Sequence, residues 1–469
     1  MSSSADIVTM LQPTLAERAA IWMSGLRLED IPPSVQAAAT EHLLDAVGVG
    51  LAGAGDPERR GLHRAVEALG HGGYCTAFGR SQLLPAASAA LLNGTFVHAL
   101  EFDDTHMASV IHGSSVVVPA ALAAAERHDA SGASLLAAVV GGWELLIRLG
   151  MASPGGFQAQ GFQTTAVTGP FVAAAVATLL GGGDATLMTR AMGIAGSQAS
   201  GVFEYLADGS TVKAMHAGWA AHAGLVAADF AAVGMSGPAT IFEGRFGLFR
   251  TYAGDAEASA RLDRLLRDLG SRWHLPDASF KRYPCCHYIH SFLECAEAAM
   301  VDGVRPVDVR SVECFVPEEE MAIICDPADR KRRPRSGYEA RFSLPVCVAA
   351  VLGGGGRLQP ELAAVDPAVL ALADRVHWTP WAASGFPERY PARMRITTVG
   401  GLERTYEVDD VQGSLSRPLS SEEITAKFIY NAAPTLGEAA ALSLVRALRD
   451  IAAAKRVRAA TAPLRRTAT

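Results

Sequence analysis

The sequence predicts a mainly α protein with an α+β part: a large all-helical domain carrying an inserted, smaller α+β lid domain. Three observations lead there. Ala-rich runs with apolar residues at i, i+3 and i+4 recur through residues 14–270. Near Trp273 the pattern changes to segments that alternate every second residue. The last fifty residues are helical again. A chain of 469 residues is too long for one ordinary core, so two domains are expected. Residues 1–270 form the first part of the helical domain, 271–418 the lid, and 419–469 the C-terminal helical part.

Taken in order, the helical periodicity covers Val35–Val49, Ala86–Leu100, Val116–Arg127, Leu135–Leu149, Thr165–Leu180, Ala191–Val202, Ala214–Ala231 and Ala256–Leu269. Gly and Asp clusters such as 181–184 and the glycines of 150–156 separate these runs. Several helices are apolar on most faces, which places them inside a bundle or in a subunit interface, and a homodimer through the helical domain is expected. In the lid, Val307–Val316 alternates like a half-buried strand, and Val376–Trp378 and Met394–Val399 read as further strands. Gly400-Gly401 then turns the chain into Arg404–Val408 as a hairpin. Helices Ile289–Met300 and Leu344–Leu352 lie between. After Pro418, Ser421-Glu422-Glu423 opens a new helix with capping chemistry, and the tail from Ala459 to Thr469 is expected to fray.

Composition narrows the function. Hydrophobic residues make up 49% and charged residues 19%, the balance of a folded, core-rich chain. With 41 basic against 48 acidic residues the formal charge is −7, which offers no nucleic-acid face. An anionic substrate would need a local cluster of Lys and Arg. Seven cysteines with no Cys-x-x-Cys fit a reducing compartment. No signal-peptide pattern is visible at the N-terminus, and no uninterrupted apolar run reaches about 18 residues, the usual membrane-span length. A cytoplasmic enzyme without membrane or nucleic-acid partners is the simplest expectation.

Residues 98–112 concentrate the chemistry. His98, Glu101, Asp103, Asp104, Thr105, His106 and His112 interrupt a stretch of Ala, Val and Leu. Burying so many ionisable groups is costly unless they are paired or used, and such clusters are where catalysis displaces pKa values. The plainer alternative is a turn between two helices, with Asp103 or Asp104 capping and the histidines bonded to carbonyls. Asp103, Asp104, His106 and His112 could instead hold a metal, but no second acidic motif accompanies them. Cys285-Cys286-His287-x-x-His290 resembles a ligand set, yet adjacent cysteines give poor tetrahedral geometry, and free buried thiols beside a turn fit better. Gly48-Val49-Gly50-Leu51-Ala52-Gly53 matches the dinucleotide spacing but follows a helical pattern, so close helix packing explains it. Lys213 enters an apolar helix at its first turn, either as a snorkelling surface residue or as a cation favouring a bound anion. Lys281-Arg282-Tyr283 and Lys331–Arg335 are basic stretches able to clamp carboxylates.

In this order and spacing, these segments resemble the MmgE/PrpD family of 2-methylcitrate dehydratases and cis-aconitate decarboxylases. The likeness runs along nearly the whole chain. It is carried by Leu44–Gly53, Asn93-Gly94 leading into His98–Thr105, His112-Gly113, Gly161–Thr165, Lys213, Lys281–Cys285, Pro334–Ser336 and Ala340–Ser343. The resemblance implies a site between the helical domain and the lid, and cofactor-free elimination, decarboxylation or epimerisation of small polycarboxylates. Its site positions fall on Glu101, Asp103, Asp104, Thr105, His112, Gln163 and Lys213, with lid residues around Lys281 and Tyr283. Three departures stand out. Relatives often carry Asp where Glu101 stands, decarboxylase-type members carry His where Gln163 stands, and the Thr105–His112 spacing is one residue longer than in the decarboxylase.

The expected reaction is a dehydratase-type lyase step on a di- or tricarboxylate such as 2-methylcitrate, with no cofactor and no metal. His112, Lys213, Glu101 and Asp103 are the expected catalytic groups. His112 is the general base or acid, paired with a carboxylate of the cluster. Asp104, Thr105, Gln163, Lys281, Tyr283 and Arg335 are the expected substrate-binding groups. An epimerase or decarboxylase on a related acid is the first alternative. A metal-dependent lyase using Asp103, Asp104 and His106, and a non-catalytic scaffold, are the others.

Overall fold

The computed structural model describes residues 12–354 and 358–465. Its principal helices are α1 (Leu15–Gly25), α2 (Pro33–Gly55), α3 (Ala86–His98), α4 (Ser114–His128), α5 (Gly132–Ala152), α6 (Thr164–Leu180), α7 (Ala185–Ala195) and α8 (Lys213–Ala232). They pack around one large hydrophobic core, which the chain rejoins through α11 (Ser421–Leu436) and α12 (Glu438–Arg449). Between them the chain builds a second core over residues 283–396. The architecture is therefore a large helical domain carrying a smaller α+β domain.

Local chemistry explains the boundaries. Thr14 and Glu17 form a capping box at α1, and Ser420 and Glu423 another at α11, one residue before the expected start. The run expected at Ala191–Val202 is displaced: Asp184 accepts the Leu187 N–H and starts α7 at Ala185, and the helix ends at Ala195. The tail does not fray over its described part. Val457–Thr461 is helical, Leu464 is fully buried, and its carbonyl accepts from Gly79 N at 3.0 Å. Residues 466–469 of that expectation lie outside the described residues.

The Gly48–Gly53 spacing sits wholly inside α2. A Cβ at Gly53 would lie 2.1 Å from the Phe96 carbonyl oxygen, so α2 and α3 cross with backbone against backbone. Likewise a Cβ at Gly94 would meet Gly218 Cα at 2.7 Å, which brings α3 and α8 close enough to juxtapose their ends. Helix α5 is long and apolar enough to span a bilayer, but its most apolar window is 94% buried inside the protein, where it packs on α4 and α6.

The lid sheet has four strands: β3 (Val309–Val316), β4 (Val376–Pro380), β5 (Ala392–Thr398) and β6 (Glu403–Val408), following the short pair β1 (Cys75–Thr76) and β2 (Leu83–Leu84) of the helical domain. The order is β4-β3-β5-β6, with β3 and β4 parallel (Val312 opposite Val376) and the others antiparallel (Val312 opposite Ile396, Ile396 opposite Arg404). Val309, Val312, Cys314 and Val316 face the core, where α9 (His290–Val301) and α10 (Leu344–Gly354) cover the sheet.

Two connections cross between the domains side by side, since Phe280 N donates to the Gly413 carbonyl at 3.0 Å. The outgoing one is anchored by buried Glu144, whose Oε1 accepts the N–H groups of His274 and Leu275 at 2.8 Å each. Arg148 compensates that carboxylate at 2.5 Å.

Candidate active site

The loop between α3 and α4 carries the ionisable cluster to the junction of the domains. Thr105 forms a two-way backbone bridge with Ser279 of the outgoing connection, at 3.0 and 2.8 Å. Two residues of the loop adopt left-handed backbone: Glu101 at φ 50° and Val110 at φ 51°. For a β-branched valine this is a costly conformation, and such strain gathers at functional sites.

A cleft of about 680 Å³, counting its open mouth, lies here. The helical domain supplies Glu101, Thr105, His112, Gln163 and Lys213 to its wall, and the lid supplies Lys281, His287, Tyr288, Phe342 and Tyr390. Lys213, the first residue of α8, is buried, and its Nζ lies 2.5 Å from Glu101 Oε1. Lys281 Nζ lies 3.5 Å from Glu101 Oε2 and donates to the Glu101 carbonyl at 3.1 Å. Burial alone would raise the Glu101 carboxyl, but the two ammoniums outweigh it and hold the group below the usual carboxylate range. Lys281 is pushed up in turn: burial opposes its charge, and Glu101 and Asp103 more than restore it.

A hydrogen-bonded chain runs behind this wall. His112 Nδ1 donates to the Asp104 carbonyl at 3.1 Å and lies 3.3 Å from Thr105 Oγ1. A carbonyl only accepts, so the proton sits on Nδ1 and Nε2 carries the basic lone pair. Burial, reinforced by His98, Lys281 and Lys213 and opposed by Asp103, pushes His112 down to about 3, which leaves it neutral. Asp103 Oδ2 accepts from His98 Nδ1 at 2.7 Å and lies 3.7 Å from His112 Nδ1. Gln163 Nε2 donates to His98 Nε2 at 3.1 Å, and Gln163 Oε1 accepts from His216 Nδ1 at 2.8 Å. Gln163, at the N-terminal boundary of α6, thus fixes both imidazoles in one tautomer.

The structure brings Glu101, Thr105, His112, Gln163, Lys213 and Lys281 to one cleft, with Asp103 directly behind His112. Lys213 is not a snorkelling surface residue. Three other expected residues lie elsewhere. Asp104 is buried against His42 Nδ1 (2.8 Å) and the Ser114 N–H (3.1 Å), capping α4. Tyr283 borders a different cleft, where its hydroxyl accepts from Arg282 at 3.0 Å. Arg335 is exposed and engaged by Glu339 and the Asp208 carbonyl. The set Asp103, Asp104 and His106 does not converge, because His106 turns to Ser109 at 2.8 Å. Among the described residues, the ligand atoms that do cluster, within 4.8 Å of one another, belong to His98, Asp103 and His112.

His287, Tyr205, Phe342 and Tyr390 line the cleft and were not expected there. His287 is buried, and neither of its ring nitrogens has a hydrogen-bond partner among the described residues. Its signal was the Cys285-Cys286-His287-x-x-His290 segment, read as a buried turn. All seven cysteines are indeed free and buried.

Residues 17–261 match the MmgE/PrpD N-terminal domain and residues 283–450 the MmgE/PrpD C-terminal domain. A cis-aconitate decarboxylase of Aspergillus terreus is 30% identical over 442 residues, 87% of each chain. The cis-aconitate decarboxylase of Homo sapiens is 26% identical over 464 residues, covering 94% of this chain and 92% of that one. The cis-aconitate decarboxylase-like protein oryM of Aspergillus oryzae is 31% identical over 287 residues, 59% of each chain. With both of its domains matched in order, the chain belongs to the MmgE/PrpD family.

Proposed function

We propose that the protein is a cofactor-independent lyase of the dehydratase type, acting on a small di- or tricarboxylate such as 2-methylcitrate. The observation that carries this reading is the convergence of Lys213 and Lys281 on Glu101, opposite a neutral His112, in a cleft walled by both domains. His112 Nε2 takes the proton α to a substrate carboxylate. The two ammoniums stabilise the negative charge that develops on that carboxylate. Glu101, held ionised, cannot supply a proton to the departing hydroxyl; Lys213 can. The carbon–oxygen bond breaks, water leaves, and the proton on His112 returns to Lys213. Thr105 and His287 supply hydrogen-bonding groups to the bound acid, and the lid residues exclude water.

A decarboxylase is the second reading, favoured by the names of the relatives. The same cations would then stabilise the carbanion left by departing CO₂. Gln163 argues against it, because an amide cannot carry the proton that a histidine at that position could.

A thermal-shift panel of di- and tricarboxylates tests the site class. Ligand at about 100-fold excess over Kd stabilises by roughly 2.7 kcal/mol. No stabilisation by any member ends this reading. Incubation in D₂O with product analysis separates dehydration from epimerisation, which exchanges the α-hydrogen without loss of water. Full activity after EDTA separates both from a metal-dependent lyase.

We further propose a homodimer in a reducing, cytoplasmic compartment. Met215, Trp219 and Phe230 of α8, with Val212 and Val233 at its two ends, are exposed and fall on one face of the helix. A second copy of this chain would cover that stripe.

A further inference from the structure

The left-handed turn at Glu101 is held by its carbonyls. Three consecutive ones are each gripped by a cation from the part of the chain beyond residue 270. Arg341 donates to Leu100 O at 2.7 Å, Lys281 to Glu101 O at 3.1 Å, and Lys427 to Phe102 O at 3.0 Å. Arg341 and Lys281 belong to the lid, whereas Lys427 comes from α11, where the chain has returned to the helical domain. Lys427 is half-buried, its side chain 7% exposed. Its Nζ lies 2.8 Å from Asp45 Oδ1 on α2 and 4.2 Å from the centroid of the Phe102 ring. Burial raises Asp45 to about 6 despite Lys427, so the pair is far from an inert surface contact. Strained backbone persists only where its surroundings over-determine it, and at Phe102 that constraint is Lys427.

We propose that Lys427 is a positioning residue: by holding the Phe102 carbonyl against Asp45, it fixes the turn that aims Glu101 at Lys213 and Lys281, and so ties the returning C-terminal helix to the site. This rests on the reading of the Glu101 cleft as the active site. The cleft of about 660 Å³ bordered by Phe102, Tyr283, Ala426, Lys427 and Tyr430 gives outside access to the place Lys427 occupies.

The experiment compares Lys427→Ala with Arg449→Met. Arg449 ties α12 to Glu41 and Ser421 and touches nothing in the cleft, so its loss weakens the docking of the same helical segment without touching the turn. Hydrogen exchange over residues 99–105, measured without substrate, should accelerate in Lys427→Ala and stay at the wild-type rate in Arg449→Met. Turnover of cis-aconitate and 2-methylcitrate by Lys427→Ala should fall in kcat by about 10- to 100-fold, the scale of a misplaced catalytic group, with KM little changed. Ethylammonium should restore part of that loss by occupying the vacated cleft. If Lys427→Ala does not fold, the neutral pair Asp45→Asn with Lys427→Met carries the same exchange and kcat tests, its expected outcome unchanged. Wild-type exchange and kcat in a folded Lys427 variant overturn the proposal, as does an equal loss of kcat in Arg449→Met with no rescue by ethylammonium. If the wild-type protein turns over neither acid, the active-site reading fails, and the exchange rates still decide whether Lys427 holds the turn.

Discussion

Replacing Lys213 by Met tests the electrostatics of the site most directly. Lys213 and Glu101 form a nearly fully buried pair at 2.5 Å, with side chains 7% and 2% exposed. Removing one member of such a pair leaves the other uncompensated, at a cost of about 3–5 kcal/mol. Lys281, 3.5 Å from the other oxygen, still compensates part of the charge and places the cost near the lower end. An unfolding entropy of about 2.1 cal/mol/K per residue over the 469 residues makes 1 kcal/mol worth roughly 1 °C, so Tm should drop by about 3 °C at pH 8. The pH dependence distinguishes this from lost packing. In the wild type, Glu101 is held below its usual range, and its contribution is fully present above the ordinary carboxylate pKa. Without Lys213 the largest opposition to burial is gone, Lys281 alone is left beside the carboxylate, and the Glu101 pKa rises. The folded variant then binds more protons than the unfolded chain, and its stability increases as pH falls. Thermal unfolding of both proteins at pH 8 and pH 5 should show the gap narrowing at pH 5. An equal gap at both pH values, or one below about 1 °C at pH 8, would refute the assignment of a buried, charge-compensated Glu101.

Three further outcomes follow from the same geometry. His112→Ala should lower turnover by at least about 100-fold, and the acid limb of kcat/KM in the wild type should fall well below pH 6.5, because His112 is already neutral there; a limb centred at 6.5 would contradict the role given to it. Gly53→Ala should destabilise by about 1–3 kcal/mol or more, since its Cβ meets backbone at Phe96 rather than a yielding side chain, and an unchanged Tm would contradict the close α2–α3 crossing. Trp219→Glu should shift light scattering from a dimer mass to the 49.1 kDa of one chain, whereas a wild-type protein that is already monomeric would remove the proposed interface.

The sequence by itself determined the fold class, because apolar periodicity is a local property. The period of α8, the alternation of β3 and the cap before α11 are all set by residues within a few positions of one another. It also marked the ionisable side chains of residues 98–112 as too costly to bury without a purpose, and Glu101 and His112 of that stretch line one cleft with Lys213. Partnership was decided only by the tertiary structure. Asp103 and Asp104 are adjacent and chemically alike, yet one backs His112 and the other caps α4 against His42. Nothing local distinguishes them, because successive side chains in a turn point apart and the groups they meet come from distant helices. The same holds for Arg335, already engaged by Glu339, and for His287, whose ring opens on the cleft only because the lid folds over it. Lys427 lies more than three hundred residues from Phe102 in the chain and reaches its carbonyl solely because α11 returns to pack on α2.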